Sequence, residues 1–250
     1  MPEQTELIKR SFTRAADTYE AHARIQDYAA GQLAEMFCRA LNGREPGRIL
    51  EIGAGSGLLT RRLRGYFPQA VYTANDITDS FAQEYSRMGC QLLVGDAEKA
   101  AFPSGQDAIV SSSCFQWIKD MPRFLQKLAD SLVPGGALCF STFGPDNFSQ
   151  VKHLTGCGLD YIPAKELKGM LEDAGFRVWV CREEKDTLCF DTAREMLRYF
   201  SATGVNGIRK TLWTPGRLEN FERRYRAEFS GEGGLPLTVD YLWVATEKIR

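Results

Sequence analysis

The chain has 250 residues, with 31 Lys and Arg, 32 Asp and Glu, and seven cysteines. That length suits one large domain with an insertion, and the balanced charge implies no bulk attraction to nucleic acid. No apolar run is long enough to cross a membrane, the polar and acidic start argues against a targeting peptide, and cysteines without a C-x-x-C pair indicate buried thiols in a reducing cytoplasm.

The first 45 residues precede the first predicted strand and have the apolar spacing of helices. Leu7, Phe12 and Tyr19 recur at helical spacing, and a second helical run covers Ala23 to Leu41. Because these helices lie outside the predicted sheet, we expect residues 1–45 to form a lid over a site that must open and then exclude water.

The stretch Arg48 to Thr60 combines a short apolar strand, a loop with glycine at every second position and the start of a helix. Such a loop lets a ligand approach the backbone closely. A dinucleotide fingerprint requires a sixth-position glycine, where this chain has Leu58, and no Gly-Lys-Ser/Thr follows. The remaining pattern resembles motif I of the class I S-adenosylmethionine-dependent methyltransferases. The resemblance implies S-adenosylmethionine as the cofactor, bound by Glu51, Gly53, Gly55 and Gly57.

A second predicted strand, Ala70 to Ile77, ends in an acidic residue. Asp76 lies about 20 residues past the loop, the separation at which a carboxylate reaches a ribose in such folds. One carboxylate accepts from both free ribose hydroxyls of S-adenosylmethionine. We therefore predict that Asp76 binds the cofactor ribose, with an ordinary Asn-Asp turn as the alternative.

The stretch Cys90 to Glu98 repeats this pattern, with a strand followed by Gly-Asp-Ala. Methyltransferases of this class use such an acidic residue and its neighbouring amide to bind the adenine amino group and ring nitrogen. The resemblance implies these two roles for Asp96 and for the backbone of Ala97. A helix N-cap is the alternative role for Asp96.

A fourth strand is predicted from Asp107 to Ser113 and a fifth from Leu132 to Thr142, entered through a Pro-Gly-Gly turn that is a further feature of the class. Ligands of open α/β sheets bind outside the carboxyl ends of the strands, so the residues after the fourth strand are expected to face the cofactor's reactive end. Ser112 is assigned to cofactor binding. Gln116 is expected to donate an amide hydrogen bond and Trp117 to wall the methyl site, with a loop cap and a core aromatic as the respective alternatives.

The following elements are less regular. Residues 144–160 are rich in Gly and polar side chains and border the predicted site. Pro163 to Ala174 is typical of an amphipathic helix closed by Gly175, and Phe176 to Phe190 indicates one long strand or two strands.

The sequence predicts a single α/β domain with the class I methyltransferase, Rossmann-like, seven-stranded sheet and helices on both faces. Residues 46–190 form the expected cofactor-binding core after the N-terminal lid. A helical cap insertion over residues 191–230 then precedes a final strand within residues 235–250.

Four short stretches outside the cofactor motifs carry a more specific signal. They are Phe12 to Gln26, Ser111 to Trp117, Ala202 to Asn206 and Gly234 to Thr238. Together they resemble the malonyl-[acyl-carrier protein] O-methyltransferases of biotin synthesis, and the resemblance covers nearly the whole chain. Ser112 departs from the pattern, because Asn is usual there.

Enzymes of that family methylate the free carboxylate of a malonyl thioester on acyl carrier protein, so the resemblance implies this reaction, with malonyl-coenzyme A as another acceptor. A malonyl carboxylate has a pKa of about 4 or below and needs no general base, and positioning alone supplies about 7–11 kcal/mol. Tyr19, at the signature position, is expected to orient the carboxylate or close over the cofactor, or else to be a core tyrosine. Arg14 is expected to pair with a carboxylate, or else to be solvated.

The region Asp191 to Arg226 is rich in arginine, and Arg209 within it is assigned to substrate binding. A basic face would steer an acidic carrier protein, and an ordinary solvated helix surface is the alternative. We expect a monomer without metal, nucleic-acid or membrane partners. Rival functions are an aconitate-type methyltransferase for a free carboxylate, a methyltransferase for a nucleic-acid base or protein side chain, a nicotinamide dehydrogenase and a non-enzymatic module.

Overall fold

A computed structural model describes residues 4–203, 213–229, 231 and 233–249 of this chain. Two helices precede the first strand, α1 over Gln4–His22 and α2 over Arg24–Leu41. The elements that follow are β1 Arg48–Ile52, α3 Leu58–Tyr66, β2 Val71–Asp76, α4 Ala82–Arg87, β3 Gln91–Val94, β4 Gln106–Ser112, α5 Met121–Ser131 and β5 Leu132–Phe143. The remaining elements are α6 Ser149–Thr155, α7 Ala164–Asp173, β6 Phe176–Phe190, α8 Ala193–Ala202, α9 Pro215–Phe229 and β7 Leu235–Lys248.

The strands form one seven-stranded sheet in the order β3-β2-β1-β4-β5-β7-β6. The pairs β1 with β2, β1 with β4, β2 with β3, and β4 with β5 are all parallel. The strand order therefore reverses beside β1, and the carboxyl ends of β1, β2 and β4 meet at one edge. The predicted seven-stranded fold is confirmed. Because loops at such an edge form the ligand crevice of an open α/β sheet, we expect the crevice here.

The core under this edge is packed by α5 against the sheet. Asp120 caps the helix by accepting a hydrogen bond from the Arg123 amide at 3.2 Å, and Phe124 is among the apolar side chains that the helix buries. Phe115 stacks on Phe140 of β5 with ring centroids 4.1 Å apart. Burying each such side chain contributes about 1.5–3 kcal/mol, so the turn after β4 is held firmly in place.

In the second half of the chain the structure adds a helix that the sequence did not predict and decides between two alternatives for one strand. Residues 144–160 contain a short helix, α6, which buries Val151 and ends at Gly156 in the left-handed region. Seven residues are too few to display a helical period, so the sequence pattern did not indicate it. Phe176–Phe190 forms one continuous strand of 15 residues.

The chain divides into two compact units. The α1 unit comprises Met1–Ala23, Phe143–Tyr161 and Glu184–Tyr241, and the glycine-loop unit comprises Arg24–Thr142, Ile162–Glu183 and Leu242–Arg250. In the α1 unit, Thr192 caps α8 by accepting from the Glu195 amide at 3.2 Å. No helix among residues 4–203 and 213–229 has both the length and the apolar character that crossing a membrane requires.

Candidate active site

The loop after β1 turns tightly through three glycines that all have positive φ, with φ +65° at Gly53, +55° at Gly55 and +86° at Gly57. A Cβ atom on Gly53 would lie 2.3 Å from the Sγ atom of Cys114, so the loop packs directly on the turn after β4. A Cβ atom on Gly57 would lie 3.1 Å from the Cε atom of Met88. At Gly55 nothing lies within 4 Å, so this glycine alone among the three borders open space.

Glu51, the acidic residue of the motif, lies beneath the loop and is fully buried. Its Oε2 atom accepts hydrogen bonds from the Thr60 hydroxyl at 2.7 Å and from the Tyr72 hydroxyl. Burial raises the pKa of Glu51 to about 7, although the two hydroxyl donors oppose the shift. The carboxyl group thus joins β1 to β2 and to the first turn of α3, and it holds the loop from below.

Asp76 ends β2 and connects directly to the loop. Its Oδ2 atom accepts from the Gly55 amide at 2.8 Å, and its Oδ1 atom accepts from the Thr78 amide at 2.9 Å. Burial raises the pKa of Asp76, and the amide hydrogen bonds from Thr78 and Gly55 counteract this effect. Each carboxylate oxygen retains acceptor capacity, so the group that fixes the glycine loop also remains able to accept from a ligand.

Three buried oxygens near these carboxyl ends have no hydrogen-bond partner within the described part of the chain. They are the hydroxyl of Ser56 in the loop, the Oδ1 atom of Asn75 in β2 and the hydroxyl of Ser113 after β4. Unpaired buried polar atoms cost about 1–3 kcal/mol each, and they cluster where a ligand supplies the missing partner. We interpret the open space at Gly55 and these oxygens as a candidate cradle for a polar ligand.

Asp96 follows β3 in a hydrogen-bonded turn. Its Oδ1 atom accepts from the Glu98 amide at 3.0 Å, and its Oδ2 atom lies 3.8 Å from the ammonium of Lys99. The residue therefore caps a turn rather than a helix. The carbonyl of Ala97 accepts from the Lys127 ammonium at 2.6 Å, whereas the Ala97 amide donates to no residue that the structure describes. That amide is free to donate to a ligand, as an adenine site requires.

Neutral side chains line the carboxyl ends of β4 and β5. The hydroxyls of Ser112 and Ser141 lie 3.3 Å apart. The amide nitrogen of Gln116 donates to the Ser113 carbonyl at 2.7 Å, and its oxygen accepts from the Thr142 hydroxyl at 3.3 Å. Gln116 thus caps the loop after β4, as the alternative interpretation stated, and joins it to β5.

Ser113 stands out among the residues that the sequence did not select. Its φ of +55° is unusual for a residue with a side chain, its amide donates to the Ser141 carbonyl at 2.9 Å, and its carbonyl accepts from Gln116. Every polar atom of Ser113 except the hydroxyl oxygen is therefore engaged in a hydrogen bond. A strained backbone that is held by both of its polar groups is typical of functional sites. The sequence pattern gave no indication of this strain at Ser113.

Four predicted site residues remain: Trp117, Tyr19, Arg14 and Arg209. Trp117 is half-buried in a short 3₁₀ turn after β4. Tyr19 is half-buried and Arg14 exposed on α1, in the α1 unit rather than the glycine-loop unit. Arg209 lies outside the described residues.

Both histidines and the Cys114 thiol are engaged or protonated. His22 is hydrogen-bonded to the Thr18 carbonyl at 3.0 Å, and His153 pairs with Glu228 at 3.0 Å, both in the α1 unit. Burial raises the pKa of the Cys114 thiol to about 12, so it remains protonated at neutral pH.

A Rossmann-like sheet with a glycine loop, an acidic residue at the end of β2 and a free amide after β3 defines a class I methyltransferase. Residues 21–208 match the family model described as a methyltransferase domain. The chain is 36% identical over 250 residues to the malonyl-[acyl-carrier protein] O-methyltransferase of Prosthecochloris aestuarii, covering 97% of this chain and 93% of that protein. The enzyme of the same name from Chlorobium luteolum is 33% identical over 250 residues, covering 97% and 95%. This chain belongs to the malonyl-[acyl-carrier protein] O-methyltransferase family.

The fold is also similar to that of a solved enzyme with a different acceptor. Phosphoethanolamine N-methyltransferase 2 of Haemonchus contortus, in complex with S-adenosyl-L-methionine, superposes with a TM-score of 0.56 at 14% identity, covering 88% of this chain and 53% of that chain. At this identity the likeness concerns the fold alone, and the acceptor has to be argued from the family and the site.

Proposed function

We propose that the protein transfers a methyl group from S-adenosylmethionine to the free carboxylate of a malonyl thioester on acyl carrier protein, and so forms the malonyl methyl ester. The product has lost the negative charge of its terminal carboxylate. The relatives that carry this activity in their names align with almost the entire chain.

The open cradle at Gly55 is the observation that carries the cofactor assignment. Gly55 leaves room for a ligand against the backbone, and Asp76 offers carboxylate oxygens to ribose hydroxyls from the next strand. The free Ala97 amide and the carboxyl group of Asp96 are suited to the adenine edge. Bound S-adenosylmethionine supplies a methyl group that is already activated by a sulfonium centre.

Glu51 has a different role in this proposal. Its carboxyl group is buried and engaged by Thr60 and Tyr72, so it acts on the cofactor by fixing the loop rather than by direct contact. We assign direct contact instead to Gly53, Gly55 and Gly57 through their backbone and to Asp76 through its side chain.

The acceptor is expected at the neutral ends of β4 and β5. Ser111 to Ile118 and Ala137 to Thr142 contain no charged side chain, so an arriving carboxylate meets no like charge there. Its ionised form needs no base, which agrees with the absence of an available base among the described residues near the site. The hydroxyl of Ser113 is free to donate one hydrogen bond, enough to orient a carboxylate without holding it so strongly that it no longer reacts.

Tyr19, Arg14, Trp117 and Arg209 stay in the proposal as acceptor-side residues on the strength of the family resemblance. We further propose that the enzyme acts as a monomer in the cytoplasm, with residues 1–45 as a lid and residues 191–230 as a cap. Seven unpaired cysteines fit a reducing compartment.

A single assay tests the acceptor. Labelled S-adenosylmethionine is supplied with malonyl-acyl carrier protein, malonyl-coenzyme A or free malonate, and base-labile methyl ester is counted. We expect the carrier-bound thioester to have the highest kcat/KM. Equal turnover of free malonate would refute the carrier-protein assignment and favour an aconitate-type enzyme, and calorimetric binding of NAD instead of S-adenosylhomocysteine would refute the cofactor assignment.

A further inference from the structure

Helix α8 exposes two arginines that have no partner within the described residues. Arg194 and Arg198 are exposed, lie four residues apart, and therefore project from the same side of the helix. Like charges at this spacing destabilise a helix by about 0.2–0.5 kcal/mol, and Arg194 also lies in the first turn, where the helix dipole disfavours a cation. The nearby carboxylate of Glu195 accepts a hydrogen bond from the Asp191 amide at 3.0 Å, so it caps the helix start.

On the neighbouring helix α9, arginines have side-chain partners on the same helix. Arg224 lies 3.6 Å from Glu228, one turn further along, and Arg226 lies 2.8 Å from Glu222, one turn before it. Arg223 donates to the side chain of Asn220 at 2.8 Å. Arg194 and Arg198 of α8 therefore differ from Arg224 and Arg226 of α9, which have carboxylate partners.

A third cation borders α8 from α1. The hydroxyl of Thr18 donates to the carbonyl of Ala202 at 3.3 Å, which joins α1 to the end of α8. Arg14 lies one turn before Thr18 on α1, and Arg198 lies one turn before Ala202 on α8. Arg14 is exposed and, like the two α8 arginines, has no ion-pair partner among residues that the structure describes.

We propose that Arg14, Arg194 and Arg198 form a docking surface for the acidic acyl carrier protein, called here the α8 arginine surface. Guanidinium groups without internal partners pay no cost of breaking an existing ion pair when they meet carboxylates or the phosphate of the carrier's prosthetic arm. Charge complementarity of this kind raises the rate of association and lowers KM, while chemistry within the site remains the same. The proposal deepens the proposed function and rests on it, because only a carrier-bound acceptor requires a protein docking surface.

The test compares two charge reversals of equal size. Arg194→Glu combined with Arg198→Glu reverses two of the three charges of the α8 arginine surface, and Arg223→Glu combined with Arg224→Glu on α9 is the matched control. For each protein, kcat/KM is measured with malonyl-acyl carrier protein and with malonyl-pantetheine, which lacks the protein. We expect the α8 pair to lower the ratio of the two values by roughly tenfold or more and the α9 pair to lower it less than twofold. The wild-type ratio also falls as salt is raised, and it falls less in the α8 variant.

Each other outcome counts against the docking surface. An equal decrease for both pairs would reveal a general charge effect, and no decrease for the α8 pair would remove these arginines from the interface. Circular dichroism and thermal unfolding establish that both variants are folded. If wild-type protein does not methylate malonyl-acyl carrier protein, the proposed function fails. The docking surface is then judged by direct binding of the holo-carrier protein, and equal binding by wild type and the α8 variant refutes it.

Discussion

The carboxyl ends of β1 and β2 differ in chemistry from the carboxyl ends of β4 and β5. At the first pair, Glu51 and Asp76 are buried carboxyl groups with raised pKa values, held by hydroxyl and amide donors. At the second pair, serine, threonine and glutamine side chains form a neutral hydrogen-bonded network. Anionic groups suit a cationic cofactor with ribose hydroxyls, whereas an anionic acceptor would be repelled by them. On the proposed assignment, this difference in charge would direct the cationic cofactor to the first pair of strand ends and the anionic acceptor to the second.

The largest expected effect tests the contact between the glycine loop after β1 and the turn after β4. Gly53→Ala should lower the free energy of unfolding by about 4 kcal/mol, because the new Cβ atom would collide with Cys114 and the left-handed backbone adds strain. Gly55→Ala should cost only about 1 kcal/mol of stability, since its side chain enters open space. It should nevertheless abolish cofactor binding.

Urea unfolding and calorimetry with S-adenosylhomocysteine measure both quantities. If Gly55→Ala binds the cofactor as well as wild type, the cradle does not lie at this glycine. Similar stability losses in the two variants would show that the contact between the glycine loop and Cys114 is unimportant.

A second experiment uses pH to test the buried carboxyl group of Glu51. Its folded-state pKa of about 7 lies above its ordinary value of 4.5, so the native state binds the extra proton between these values and stability falls as pH rises through this window. Wild type should lose about 3 kcal/mol relative to Glu51→Gln between pH 4.5 and pH 7, with little further difference above.

Tyr72→Phe provides the companion variant for this measurement. It removes a hydrogen bond that lowers the pKa of Glu51, so the decrease in stability should move to higher pH. Parallel pH profiles for wild type and Glu51→Gln would mean that Glu51 is not the titrating group and that the first pair of ends is less buried than its geometry indicates.

Asp76→Asn is expected to have the next largest effect, on binding rather than folding. The amide group retains only one acceptor oxygen for the Gly55 amide, the Thr78 amide and the ribose hydroxyls, so affinity for S-adenosylhomocysteine should fall by about 2 kcal/mol, roughly 30-fold. Asp79→Asn removes the same charge at an exposed position three residues later and serves as the control. A comparable loss in both variants would indicate long-range electrostatics instead of a ribose contact.

The smallest effect is expected at the neutral pair of ends. Ser113→Ala should change the free energy of unfolding by less than about 0.5 kcal/mol, because its hydroxyl has no partner among the described residues, yet it should lower kcat/KM about fivefold. Ser111→Ala is the opposite case. Its hydroxyl donates to the Ile52 carbonyl at 2.8 Å in the core, so stability should fall by about 1 kcal/mol. Full activity in Ser113→Ala would exclude its hydroxyl from the acceptor site.

Much of the fold follows from local sequence pattern. Strand β1, the glycine loop and α3 were predicted in order, α9 falls within the predicted helical insertion over residues 191–230, and β7 within the predicted final strand over residues 235–250. These features depend on residues a few positions apart, which a periodic pattern records. The short helix α6 did not follow from the sequence pattern, because one or two helical turns are too short to show a period.

The sequence by itself determined the ligand class, since glycines at alternate positions after an apolar strand, followed about 20 residues later by an acid, leave few other chemistries. Only the tertiary structure decided how individual polar atoms are used. Glu51 is hydrogen-bonded to Tyr72, 21 residues away, and to Thr60, nine residues away. Gly53 packs against Cys114, and the hydroxyl of Ser113 has no partner among the described residues. The two α8 arginines are exposed and have no carboxylate partner among the described residues, whereas Arg224 and Arg226 of α9 pair with Glu228 and Glu222. Whether a polar group has a hydrogen-bond partner depends on residues distant in sequence. Residue type and spacing therefore predict where a site lies, but only the tertiary structure shows which of its polar atoms are already hydrogen-bonded.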